Sequence, residues 1–387
     1  MTYDIAIAGG GVIGSSIAYH LTRSGRAGRV AVIEPDPTYE FASTPRSAGG
    51  IRRLFSLPEN IQMSAFSLDF YLDFERLTGV NGASVWLGFR RQGYLFLYPP
   101  EILAVVEKNY AAQRLLSCPV DLLDRAGITR LFPSLGLDDI AAGVHSPEDG
   151  WIDPYSAVRG FRRKAQAQGA DYIKDRVVGV DVAGKRAQAF RLGNGERIEA
   201  SVFINAAGAW AGEICRSVGM PLPIEPLRRL AFYFEIQQAL EPFPLTKDLS
   251  GLFFRPEGAG YIWGVPNMAE PAGINFDVDY EYFDTVVWPL LARRVPAFEA
   301  LKVKRGWAGM YDQNRFDGNL MIGPWEGHVD NFHVAVGFSG HGLQQAPAVG
   351  LALSELVLDG RFSTIDLSRL RYRRIMDGAP LREEGII

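Results

Sequence analysis

A chain of 387 residues is longer than one ordinary hydrophobic core supports, so two domains, or one enlarged by insertions, are expected. Its composition, 47% hydrophobic and 22% charged, is that of a soluble globular protein, and a net charge of −4 argues against a nucleic-acid partner. Cys118 and Cys215 are far apart and lack metal-ligand spacing, which argues against a disulfide framework and agrees with a reducing, cytoplasmic setting. The histidines form no ligand cluster, so no catalytic metal is expected. The apolar run Ile5 to Leu21 lacks a basic leading region and is interrupted by glycines, so it reads as a strand followed by a helix. No stretch reaches the ~20 uninterrupted apolar residues of a membrane span.

In chain order, the strand Tyr3 to Ala8 runs into Gly9-Gly10-Gly11-Val12-Ile13-Gly14 and a small-residue helix. This G-x-G-x-x-G spacing has a physical logic: Gly9 permits the tight turn, Gly11 admits a pyrophosphate against the backbone, and Gly14 lets the helix pack on the strand. The helix N-terminus then faces the phosphates. Gly25 and Gly28 end the helix, and a second apolar strand, 29–33, closes on Glu34 and Pro35, with Glu34 placed to bond an adenosine ribose.

A loop from Pro35 to Pro58 follows, containing Ser43, Thr44, Arg46, Ser47, Ala48, Gly49, Gly50, Arg52 and Arg53. The spacing predicts a helix over 59–77, paired strands at 85–89 and 93–98, a helix over 100–116, a loop over 143–154 and a helix over 156–168. A strand over 176–182 includes Val177 and Val178, and the strand 201–205 enters a small-residue turn with Ala206, Ala207, Gly208 and Trp210. Strands at 230–236, 251–254 and 260–265 precede a buried-type strand at 332–337, a second glycine turn at 337–342 and an apolar helix over 343–358. The expected fold is α/β. A Rossmann-like nucleotide-binding domain (1–84, 144–226 and 319–387) is interleaved with a smaller mixed or antiparallel β-sheet substrate domain (85–143 and 227–318), and ligands sit at the junction. By spacing alone, the turn holding Gly340, His341, Gly342 and Leu343 reads equally as a packing device or as a set of amides that, with the helix dipole, stabilise negative charge on a flavin.

The combination of Gly9 to Gly14, Asn205-Ala206-Ala207-Gly208-Ala209-Trp210, Asp149-Gly150-Trp151-Ile152-Asp153-Pro154 and Gly337 to Gly342 resembles the D-amino-acid-oxidase superfamily of FAD-dependent oxidoreductases over essentially the whole chain. The resemblance is strongest to the sarcosine oxidase, dimethylglycine dehydrogenase and glycine oxidase group. It implies bound FAD and oxidation of the C–N bond of a small amino acid or N-substituted amino acid by hydride transfer to flavin N5. It also implies that Arg52 or Arg53 clamps the substrate carboxylate through its planar fork. His341 would orient backbone or cofactor, with Tyr261, Tyr311 and Arg255 as secondary candidates.

Departures from the group carry information too. Gly309 precedes Met310 and Tyr311 where sarcosine oxidase has its flavin-linking cysteine, which implies noncovalent FAD. Ile262 occupies the place of an oxygen-activating lysine, and Gln344 that of a lysine near flavin N1, so the electron acceptor is O2 or another carrier. Two alternatives stay open. One is an FAD-dependent 2-hydroxy acid dehydrogenase; the other is a flavoprotein with a mainly binding or assembly role, since residues 47–62 are similar to a flavoprotein linked to respiratory complex I assembly.

Overall fold

A computed structural model describes residues 2–267 and 269–386. The strand Thr2–Ala8 is buried along nearly its whole length because both faces are covered, which is why it reads as a continuous apolar run. It pairs in parallel with Arg197–Asn205 on one side and Val30–Ile33 on the other, with Ile7 between Ile204 and Val32. Outward from these lie Val329–Val336 and the antiparallel Met321–Trp325 at one edge, and Asp171–Ile173 at the other. Arg186–Leu192 and Val177–Ala183 branch from Arg197–Asn205 as antiparallel neighbours.

Two helices lie against one another on this sheet, Val12–Arg23 and Gly342–Asp359. Their contact is close because Gly350 has no side chain: a Cβ there would collide with Ser16 and His20. Pro347, inside the second helix, has no N–H for the Leu343 carbonyl. The hydroxyl of Tyr71 donates to that carbonyl instead, at 2.6 Å, and Ser16 Oγ donates to the Ala346 carbonyl at 2.7 Å. The proline is thus tolerated because Tyr71, from another helix, supplies the missing donor, while Ser16 adds a further tie between the two helices.

The second sheet runs in the order Lys302–Asn314, Ile224–Glu235, Gly260–Gly264, Phe253–Glu257, Leu245–Asp248, Tyr94–Tyr98, Ala142–Ser146, Asp121–Asp124. Side chains alternate between its faces. Leu95, Leu97, Phe232, Phe234, Phe254, Tyr261 and Trp263 point to a back layer with Phe283, Leu291 and Phe298. The front face carries Tyr94, Phe96 and Tyr98, and it looks toward the first sheet and its glycine turns.

Several sequence expectations need correction. Residues 85–89 form no strand: Gly88 takes φ +63°, Trp86 is exposed, and Tyr94–Tyr98 pairs with Leu245–Asp248 and Ala142–Ser146. The expected loop 143–154 holds two strands, Ala142–Ser146 and Gly150–Trp151. Gly143 fits there because its bare backbone leaves room for Ile128 and Leu95, a tertiary reason invisible to local pattern. The helix expected over 59–77 breaks at Asp73 into Pro58–Leu72 and Phe74–Thr78, and the loop before it contains a short strand, Gly50–Ile51, paired with Gly150–Trp151. The expected boundaries at 143/144 and 226/227 fall inside the strands Ala142–Ser146 and Ile224–Glu235, so continuous strands cross those limits.

Replacing Gly350 by valine forces the two helices apart. The expected loss is about 1–3 kcal/mol of stability, measured by chemical denaturation of the purified variant.

Candidate functional site

The first glycine turn is built as its spacing predicts. Gly9 takes φ +95° against the Ala206 backbone, and Gly14 lies so close to the Gly9 carbonyl that no side chain fits. Gly11 differs: a Cβ there would meet no protein atom within 4 Å, so open space lies beside the start of the helix. That N-terminus, at Val12 and Ile13, has no side-chain cap and no acidic residue in its first turn. Gly208, at φ +53°, likewise faces open space beyond Ala206 and Ala207. Asn205 holds this second turn by accepting from the Ala207 N–H at 3.2 Å and donating to the Ala211 carbonyl at 3.0 Å, with Trp210 closing a short 3-10 turn. Glu34 Oε2 accepts from the Gly10 N–H at 2.8 Å and Oε1 from the Asp36 N–H across Pro35, while burial raises its carboxyl above the usual range. Uncapped amides, Cβ-free approaches and an acid at the strand end fit the adenosine and pyrophosphate of a dinucleotide. Val177 is buried and Val178 exposed at the start of their strand; neither side chain offers a nucleotide a hydrogen bond.

The loop 43–53 crosses between the sheets. Ser43 Oγ donates to the Met310 carbonyl, the Thr44 carbonyl accepts from the Ser47 N–H, and Arg46 donates to the Glu40 and Ala308 carbonyls. The Ala48 carbonyl accepts from Arg255 Nε at 2.7 Å, and Gly49, at φ +75°, packs against Ile152 ahead of Gly50. Arg46 and Arg255 therefore serve as ties between loop and sheet. A cleft of about 940 Å³ opens beside them, lined in part by Tyr39, Ser47, Trp151, Ile262 and Trp307.

The adjacent arginines have different surroundings. Arg53 donates from its backbone N–H and Nε to the two oxygens of Asp149, at 2.9 and 2.8 Å. Asp149 is fully buried, so this is an internal ion pair. Arg52 points the other way. Its guanidinium donates to the Leu54 carbonyl, lies 3.3 Å from His341 Nε2, and rests on the rings of Phe55 and Phe96, with centroids at 4.2 and 4.9 Å. Its backbone N–H donates to Gln344 Oε1 at 3.1 Å. Burial, then Arg52, then Lys247 hold His341 well below its ordinary pKa, so the ring is neutral. A guanidinium has only donors, so Nε2 accepts and the His341 proton sits on Nδ1, a tautomer assigned from this network.

The second glycine turn is held in a strained shape. Gly337, Ser339 and Gly340 all take positive φ, and the Gly340 Cα lies against the Tyr311 ring, where a Cβ would collide. Asp312 Oδ2 accepts from the Gly337 and Phe338 N–H groups at 2.7 and 3.1 Å, and burial pushes its carboxyl up to about 6. The helix from Gly342 then starts without a side-chain cap, with Leu343 buried behind it. Gly309 faces Arg46 with no nucleophile. Tyr311 borders the turn, with Arg229 stacked over its ring at 5.1 Å. Tyr261 does not join the site: strand parity sends it to the back layer, against Phe234 and Phe298. Its neighbour Ile262 faces the front.

Three participants escaped the sequence reading, and a fourth, Asp149, entered it only within the motif 149–154, with no role assigned. Asp149 and Asp312 hold backbone amides, a task that no local pattern reveals. Lys247 reaches the front face from a strand, Leu245–Asp248, too short to show a period. Glu383 arrives from the far end of the chain, accepting from the Ser56 and Leu57 N–H groups and from Asn60 at the start of Pro58–Leu72. With His341, Ser339, Gln313 and Arg382 it lines a further cavity of about 430 Å³.

A profile of the family described as FAD dependent oxidoreductase matches residues 4–356. The chain is 40% identical to FAD-dependent oxidoreductase domain-containing protein 1 of Xenopus laevis, across 99% of this chain and 85% of that protein. It is 27% identical to the mitochondrial dimethylglycine dehydrogenase of Homo sapiens, across 95% of this chain and 44% of that one. Among solved structures, L-proline dehydrogenase from P. horikoshii superposes with a TM-score of 0.87 and 26% identity, covering 98% of this chain and 99% of that chain. The glycine turns, the two facing sheets and these likenesses agree: the chain belongs to the family of FAD-dependent oxidoreductases that includes dimethylglycine dehydrogenase and sarcosine oxidase, and FAD is its cofactor.

Proposed function

We propose that this enzyme oxidises the C–N bond of a small amino acid or N-substituted amino acid. The observation that carries the reading is the place of Arg52: a buried guanidinium on the front face, beside the Leu54 carbonyl, the His341 ring and the second glycine turn. Dimethylglycine dehydrogenase, sarcosine oxidase and L-proline dehydrogenase, all named for amine substrates, support it. Bound FAD supplies the two-electron acceptor.

The chain's own groups then have separable tasks. Glu34 and the uncapped start of Val12–Arg23 hold the adenosine and pyrophosphate, and the amides after Gly340, with the dipole of Gly342–Asp359, favour negative charge at the ring end. Arg52 binds the substrate carboxylate, and neutral His341 fixes the plane of the guanidinium. Tyr94, Phe96 and Tyr98 form an apolar front wall that excludes water and strengthens the ion contact. Gly309 offers no attachment point, so the flavin is noncovalent there and should stay in solution when the protein is precipitated with acid.

An anaerobic screen of sarcosine, N,N-dimethylglycine, L-proline, glycine and 2-hydroxyglutarate, read as bleaching of the oxidised flavin, tests the reaction class. Bleaching by an amine supports the proposal; bleaching by the hydroxy acid alone sinks it. Peroxide yield in air then reports whether O2 or another carrier takes the electrons. In the FAD-loaded protein, Arg52→Ala is expected to weaken acetate binding roughly 10- to 100-fold, followed by the shift of the flavin spectrum. Arg53→Ala should instead cost about 3–5 kcal/mol of stability, because it strands the buried Asp149. Asp312→Ala leaves two buried amides without their acceptor; the expected result is a lower flavin-to-protein ratio after gel filtration, at about 1–3 kcal/mol per orphaned group.

A further inference from the structure

The cavity of about 430 Å³ is bounded by three separate segments of chain: Gln313 and the turn 314–318, then Ser339 and His341 of the second glycine turn, then Arg382, Glu383 and Ile386 of the tail. Its size lies within the range of small-molecule pockets, about 300–1,000 Å³. Gly9, Gly11, Glu34, Ala206 and Gly208 do not border it, so it is separate from the place given to the adenosine and pyrophosphate. The walls are fixed. The Asn314 N–H donates to Ser339 Oγ at 3.0 Å, which joins the first segment to the second. The tail is anchored on either side of residues 382–383: the Leu381 N–H donates to Asp317 Oδ2 at 3.0 Å, the Glu384 N–H donates to Ser56 Oγ at 2.9 Å, and the Glu384 carbonyl accepts from Asn109 at 2.6 Å. His341 forms the inner end, and its Nε2 lies 3.3 Å from the Arg52 guanidinium. By contrast, the cleft of about 940 Å³ has no residue of the second glycine turn in its lining.

The charged groups around this cavity are unequally engaged. Asp317 is buried and paired with Arg374, and Arg315 is paired with Glu225. Glu383 accepts from the Ser56 and Leu57 N–H groups and from the Asn60 amide, which spreads its charge over several donors. Arg382 is exposed and donates to the Phe316 carbonyl at 3.2 Å; among the described residues it has no carboxylate partner. One guanidinium thus stands at the rim and another behind the inner end. A carboxylate would meet two successive stops.

We propose that this cavity is the port through which the substrate reaches Arg52, and that Arg382 at its rim receives the carboxylate first. The charged end leads the molecule in: it leaves Arg382, passes His341 and settles on Arg52, and no covalent bond is made or broken on the way. The inference rests on the carboxylate clamp proposed above and adds the route that leads to it.

Stopped-flow mixing of FAD-loaded protein with acetate, followed by the shift of the flavin spectrum, separates association from dissociation and needs no turnover. At about 10 mM ionic strength, where fields reach ~30 Å, Arg382→Glu should slow association roughly 3- to 10-fold and leave dissociation within about twofold of wild type. The difference should close at about 1 M salt, where that reach is ~3 Å. Gln313→Trp, which narrows the cavity, should slow association and dissociation by the same factor, roughly fivefold or more, because an obstruction on the path raises the barrier in both directions and leaves the affinity unchanged. A merely structural effect would change the affinity instead. Arg90→Glu, at the larger cleft, is the comparison and should bind acetate at the wild-type rate. Wild-type rates in Arg382→Glu or in Gln313→Trp, or slowed association in Arg90→Glu, overturn the port alone when Arg52→Ala has weakened acetate binding. An acetate shift that is absent from wild type, or undiminished in Arg52→Ala, overturns the clamp and the port with it. If Gln313→Trp fails to retain FAD, Arg382→Glu decides.

Discussion

The buried pair between Arg53 and Asp149 governs the arrangement around it. Asp149 comes from the turn before Gly150–Trp151, and its backbone carbonyl also accepts from the Gly93 N–H, so the same residue touches the loop of the first sheet and a strand end of the second. An unpaired buried carboxylate is costly, and an unpaired buried guanidinium hardly less so; each is tolerable because the other is present. The pairing also settles the direction of the chain. With Arg53 committed to Asp149, the preceding residue must project to the opposite side, and Arg52 meets Phe96 and His341. Two adjacent residues of one type thereby acquire unlike surroundings, one joining the sheets and one set against Phe96 and His341, where we propose the substrate carboxylate binds.

A second constraint is the meeting of two helices where Gly350 of one packs against Ser16 and His20 of the other. The starts of Val12–Arg23 and Gly342–Asp359 both lack side-chain caps, and both carry unsatisfied amides toward the space between the sheets. Their alignment depends on the contact at Gly350 and on the donors that Tyr71 and Ser16 supply around Pro347. The dinucleotide would then lie between two positive helix ends, with Glu34 at one extreme and Arg52 at the other.

How much of this was legible in the sequence depends on the range of the forces involved. The first glycine turn and Glu34 were readable because their logic is local: turn, helix start and strand end fall within 34 residues of chain. The long helices and apolar strands were readable from periodicity. Residues 85–89 misled because Trp86 and Phe89 look strand-like, while Gly88 sets a left-handed turn. Ala142–Ser146 was missed because its strand character comes from two partners, one of them over 40 residues upstream in sequence. Tyr261 was misplaced for want of parity: a shift of one residue along a strand exchanges front for back, and the register puts Ile262, which the resemblance had set in the place of a lysine, on the front face. Lys247 and Glu383 had no readable signal at all. Each matters through a partner that only the folded chain brings near.

The tail has a consequence for how the molecule is made. Leu381 and Glu384 join Asp317, Ser56 and Asn109 through hydrogen bonds, and Glu383 satisfies the amides that begin Pro58–Leu72. The strand Thr2–Ala8 likewise waits for Arg197–Asn205 before its second parallel neighbour exists. On a translating ribosome, the segment that carries Arg52 is made early, yet its surroundings are complete only after residues 381–384 have emerged. Such long-range closure slows folding and leaves apolar edges exposed meanwhile. The surroundings of Arg52 therefore close only when residues 381–384 are available, long after Arg52 itself has been made.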